Sequence, residues 1–192
     1  MICAEPRGVA ERPRAPALDG LGTEEPATRS LWPTFLLSVA AAGLLGAEII
    51  HCVVIKAHMA EWFPAGIFFG ALGLVEGFLA VGLLIAPGRK LHQAVAVVSL
   101  LTVCTWAAAR TIGHPGGPDP WHPESIGVID GACTVFEQLT FIAVFQLLRT
   151  EGYATARVRW DRDGRRVVTA VALVFSVAAF VAIHAPVVPH LH

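Results

Sequence analysis

The sequence predicts an all-α integral membrane bundle of five transmembrane helices, with its N-terminus inside the cell and its C-terminus outside. Three observations predict it. Of 192 residues, 55% are hydrophobic and only 15% are charged, too few charges to coat a soluble domain of this size. Five apolar runs follow one another, each close to the ~20 residues that a helix needs to cross about 30 Å of hydrocarbon. Basic residues collect in alternate connections between those runs. A chain of this length has room for one helical unit and no second domain.

Residues 1–32 are rich in Pro, Arg, Glu and Gly, with no apolar run long enough for a signal-peptide core, and read as a disordered cytoplasmic tail. The membrane domain, 33–185, follows. Its first span, about 34–55, starts after Pro33 and carries Glu48 and His51. The second, about 65–86, lies between Pro64 and Pro87 and carries Glu76. The third, about 91–112, ends on Arg110. The fourth, about 126–148, is the poorest in hydropathy because it contains Asp130, Glu137, Gln138 and Gln146. The fifth, about 167–183, leads to a short outward tail, 186–192. No proline falls inside a span, where its missing N–H would break the helix.

Orientation follows from the arginines. Segment 149–166 holds Arg149, Arg157, Arg159, Arg162, Arg165 and Arg166, and the turn at 87–90 holds Arg89 and Lys90. Loops 57–63 and 113–125 hold neither Lys nor Arg. The second and fourth connections are therefore cytoplasmic, in a multi-pass protein of the cytoplasmic (inner) membrane. These arginines are explained by topology, so nucleic acid is not an expected partner; the lipid bilayer is.

On the second span Gly66, Gly70, Gly73 and Gly77 form one stripe, suited to close helix packing. That stripe serves either the bundle itself or a homo-oligomer or other membrane partner. The four cysteines, Cys3, Cys52, Cys104 and Cys133, include no CxxC pair and read as free thiols.

Given that orientation, seven of the eight histidines fall in the outer half or beyond: His51, His58, His114, His122, His184, His190 and His192. Only His92 lies at the cytoplasmic side. Glu48, His51 and His58 share an arc of roughly 80° on the first helix, and His58-x-x-Glu61-Trp62 closes the span. Asp130, Cys133, Thr134 and Glu137 share one stripe of the fourth helix. A charged group deep in the bilayer costs roughly 2.5–3.5 kcal/mol. Glu48, Glu76, Glu137 and Asp130 therefore need a partner, a proton or a metal ion, and Arg110–Asp130 and Arg110–Glu137 are the expected pairs.

This constellation gives an outward-facing His/carboxylate pocket that binds or passes a transition-metal ion or a proton. The expected metal ligands are His51, His58 and Glu61, joined by His114 or His122, and copper or zinc accept such donors. Glu48, Glu76, Arg110, Asp130 and Glu137 form a deeper relay. The Glu48-x-x-His51 spacing is half of a di-iron motif. Hence a second reading, a membrane oxidoreductase with iron, or with haem held by residues such as His51 and His184. A third reading makes the polar network structural, in a non-catalytic membrane partner. Loop 113–125, rich in Pro and Gly, is either a lid or a rigid connector. There is no Gly-x-Ser-x-Gly, P-loop or dinucleotide fingerprint.

The pattern His51…His58-x-x-Glu61-Trp62…Phe68-Phe69 is followed by Arg110-Thr111-x-Gly113-x-Pro115-x-Gly117-Pro118. Glu124, Gly127, Asp130 and Glu137 complete it. From about His51 to Glu137 the chain resembles a group of small bacterial polytopic membrane proteins without an established activity. The resemblance implies the same choice of residues and leaves the activity open. At Glu76 this chain departs from the group, in which Gln is frequent.

Overall fold

The computed structural model describes residues 30–150 and 156–184. The expected tails, 1–32 but for its last three residues and 186–192 with His190 and His192, lie outside the described residues, as does Cys3. The described chain forms five helices and no strand: α1 (Trp32–Glu61), α2 (Phe63–Ile85), α3 (Arg89–Thr111), α4 (Val128–Arg149) and α5 (Arg162–His184). Each is long and apolar enough to cross a membrane. The protein is a multi-pass membrane protein.

The helices start where local chemistry permits. Pro33 and Pro64 sit in the first turns of α1 and α2, where a missing N–H costs nothing. Asp130 Oδ2 accepts from the Gly127 N–H at 3.3 Å at the start of α4. Asp161 Oδ1 accepts from the Gly164 N–H at 2.8 Å at the start of α5.

Several boundaries differ from the hydropathy runs. Residues 57–61, expected in a loop, continue α1, because a backbone ladder satisfied out to Trp62 N–H→His58 O does not require apolar side chains. Lys56 therefore belongs to this end of the bundle. A single residue, Trp62, in extended conformation, joins α1 to α2. At the other end α5 begins at Arg162, so Arg162, Arg165 and Arg166 occupy its first two turns.

Helix α1 is the central element. It packs on α2, α4 and α5, while α3 closes the bundle against α4 and α2. Without a hydrophobic drive between lipid-bathed helices, close contact of small residues holds such a bundle together. Both glycine-bearing faces of α1–α2 follow that rule. A Cβ on Gly66 would lie 2.9 Å from the Met59 backbone nitrogen, Gly73 rests on the Glu48 carbonyl, and Gly77 on the Glu48 carboxylate. The α2 stripe is thus covered by α1 of the same chain, the packing within the bundle that was one of its two expected uses. On the opposite side Gly43 and Gly46 admit Thr140 and Phe136 of α4. Leu37, Ala40, Leu44, Leu83, Val95, Val144 and Leu147 fill the core toward the arginine-rich end. Phe136, Val171 and Phe175 fill it between α1, α4 and α5.

Candidate functional site

The other end of the bundle does not close. Between α1, α2, α3 and α4, beneath the 112–127 loop, lies a cavity of about 550 Å³, within the range of small-molecule sites. Its apolar wall is Trp62, Phe68, Phe69, Leu72 and Trp106, and its polar lining includes His51, His58, Glu61, Arg110, His114 and Glu137.

His51, Cys133 and Glu137 form the floor, with Glu76 and Ser99 behind them. His51 of α1 is buried, with Nδ1 2.8 Å from Glu76 Oε2 of α2. Its Nε2 lies 3.4 Å from Cys133 Sγ of α4. One tautomer satisfies both contacts: Nδ1–H donates to the carboxylate, and Nε2 accepts the thiol proton. Glu137, one turn beyond Cys133, is fully buried beside Glu76 and Ser99. Neither Glu137 oxygen makes a hydrogen bond, and Glu76 Oε1 is also unpaired. Buried acceptors without partners are rare and call for a bound water, proton or ligand. The floor lies near mid-length of every helix that builds it, as residue 20 of 30 in α1 shows least and Ser99 in α3 shows best.

Arg110 forms a second cluster, at the mouth. Its guanidinium donates to Asp130 Oδ2 at 2.8 Å and to Glu124, and lies over the Trp106 ring. His114 Nε2 is 3.1 Å from the other Glu124 oxygen. The expected Arg110–Asp130 pair is present. The expected Arg110–Glu137 pair is not, because Glu124 takes the second half of the fork. Deeper relay and mouth cluster are therefore two separate groups, with Glu48, packed against Gly77, on the Glu76 side of the deeper one.

The loop is fastened as well as placed. Glu124 N–H donates to Ala109 O, and Trp121 N–H to His114 O. Gly113 has φ +77°, and a Cβ there would lie 2.6 Å from the His122 backbone, so only glycine fits. Gly116 and Gly117 lie on the indole of Trp62. The loop is a connector that also roofs the cavity.

No family model, curated protein or solved structure matches this chain. Its chemistry has to be read from the geometry alone.

All five expected metal ligands, His51, His58, Glu61, His114 and His122, line the cavity, but they do not converge on one point. Among the described residues no three His, Cys, Asp or Glu side chains come together as a metal site. Phe69 stacks on His58 with centroids 4.4 Å apart and packs against His51 at 5.4 Å, so a phenyl ring adjoins both imidazoles. His58 Nδ1 is 3.9 Å from Glu61, which is largely exposed. His122 is exposed on the loop. His184, exposed on α5, has Nδ1 2.8 Å from the Phe180 carbonyl, and both His51 nitrogens are taken, so these two do not present an axial pair for haem.

Sequence reasoning missed Cys133 as a partner of His51 and missed Ser99 altogether. A signal for Ser99 existed: Val95, Ser99, Thr102, Trp106 and Ala109 recur at helical spacing, and Ser99 is the polar member of that stripe buried deepest.

Proposed function

We propose that this membrane protein accepts a proton from the outer side through the roofed pocket and holds it on the His51–Glu76–Glu137 group near mid-membrane. The outward sense rests on the arginines at the opposite end under the positive-inside rule. A bacterial inner membrane is the setting that the motif resemblance supports.

One observation carries the reading. His51 is bound at both nitrogens, between a thiol at the cavity floor and a carboxylate behind it. An imidazole so placed can take a proton at Nε2 and release one from Nδ1 to Glu76. Glu76 keeps a free oxygen beside Glu137, whose own two oxygens are free. Like charges at that range, away from water, repel strongly, and a proton between them removes the repulsion. The copper, zinc or iron form of the same reading has less support. It would need His58 and His51 to leave their contacts with Phe69, Glu76 and Cys133 before three donors could converge.

Infrared difference spectra between two pH values, recorded on the purified protein in lipid, test the proposal. A protonated-carboxyl band is expected to change in wild type, to vanish in Glu137→Gln, and to shift in frequency in His51→Gln. Spectra without a carboxyl band, or with one indifferent to all three of His51, Glu76 and Glu137, would overturn it. Metal at stoichiometric level in untagged protein, lost in His51→Ala/His58→Ala, would put a metal ion there instead.

A further inference from the structure

We infer that the pocket's ligand is an organic cation: a protonated amine on an apolar, aromatic-sized body. This rests on the pocket reading above and names the class of molecule that brings the proton.

Three independent features point the same way. The first is charge. Five carboxyl groups line the cavity (Glu61, Asp119, Glu124, Asp130 and Glu137) against a single guanidinium, Arg110. Arg110 pairs with Glu124 and Asp130, which leaves Glu61, Asp119 and Glu137 as lining carboxyl groups without a guanidinium. His51, His58, His114 and His122 also line the cavity, and with imidazoles neutral the excess charge is negative, which between low-dielectric walls concentrates cations.

The second is the wall. Trp62, Phe69 and Trp106 line the space, and aromatic faces attract ammonium groups by about 0.5–2 kcal/mol, more when water is excluded. The third is the floor. Glu137 lines the cavity, is fully buried, and has no formed hydrogen bond on either oxygen, with the Ser99 hydroxyl beside it also unpaired. An ammonium N–H supplies the missing donor, and transfer of that proton to Glu137 leaves the neutral amine in an apolar cavity. Trp106 Nε1 and Arg110 Nε are also buried without acceptors, so a hydroxyl or carbonyl oxygen on the ligand body would complete the upper wall.

The test uses three probes of one shape and different charge: 2-phenylethylammonium, 2-phenylethanol and 3-phenylpropanoate. Binding to purified protein in lipid nanodiscs is read by tryptophan fluorescence. The ammonium is expected to bind at least tenfold more tightly than the alcohol, and the carboxylate most weakly. Glu137→Gln, nearly isosteric, should erase the preference for ammonium over alcohol while leaving alcohol binding in place. Asp119→Asn, on the exposed loop, should weaken the ammonium a few-fold without touching the fold.

Equal affinity for the three probes, or tightest binding of the carboxylate, would overturn the proposal. So would a preference for ammonium that persists in Glu137→Gln. The two readings fail separately. A His51-dependent carboxyl band with no charge preference among probes removes only the amine. Charge preference without any carboxyl band removes only the proton group.

Discussion

Arg110 spans two carboxylates that belong to different parts of the chain, Glu124 in the loop and Asp130 in the first turn of α4. A planar fork can serve both at once, whereas an ammonium serves one. Arg110→Lys is therefore expected to behave like a partial deletion, costing roughly 2 kcal/mol and loosening the loop. Arg110→Ala should cost more. Thermal unfolding in detergent, together with limited proteolysis within 113–127, measures both, and full rescue by lysine would contradict the two-ended role. Asp130 and Glu137 look alike on the fourth span, one helical face and seven residues apart. Their surroundings divide the labour: Asp130 fixes a helix start and a guanidinium, and Glu137 has nothing to fix.

At the scale of the element, α5 shows how a helix end is set. Asp161 accepts from the Gly164 amide and from Arg159, and these contacts, the backbone hydrogen bond first, hold its carboxyl below the ordinary aspartate range. The carboxylate favours the folded state, so its contribution is present above the unfolded-state pKa and is lost as pH falls through the lower folded value. Protection of the Gly164 and Arg165 amides against hydrogen exchange should thus persist below the ordinary aspartate range and then fall. In Asp161→Asn the acid-dependent step should vanish, and an unchanged step would show that another group governs it.

The same helices mark what can be read from sequence. All five spans were legible, because lipid demands about twenty apolar residues in a row. Their ends were less so: hydropathy falls at Lys56 and Glu61 while the backbone ladder runs on. The intramembrane acids stood out by their cost. Their partners did not, since a single helix's periodicity says which residues share a face and not which way that face turns. Hence His51 was grouped with His58 and Glu61, neighbours on its own helix, while the bundle turns it toward Glu76 and Cys133. The glycine stripe of α2 announced a close contact and left its partner open until α1 was seen to cover it.

On the scale of the whole molecule, the bundle is polarised. A roofed cavity with acids and imidazoles occupies one end, and the arginines with the buried, unpaired imidazole of His92 occupy the other. The orientation expected from those arginines can be measured directly. In a background with the native cysteines replaced, Asp119→Cys should react with a membrane-impermeant thiol reagent added to intact cells. Arg157→Cys should react only after the membrane is broken. The opposite pattern would turn the pocket toward the cytoplasm and reverse the source of its proton.

The joint at Trp62 carries a last consequence, for how this chain can change length. One residue sets the depth at which His51 faces Glu76, because both helices run unbroken from it. An added residue in that extended joint would let one helix slide against the other by up to about 3.3 Å, parting the imidazole from the carboxylate and the glycines from their partners together. The loop between α3 and α4 sets no helix register over its exposed stretch 118–121, although Trp121 N–H is tied to His114 O and Asp119 lines the cavity. Length variation among descendants of this sequence should therefore collect at that stretch and spare position 62.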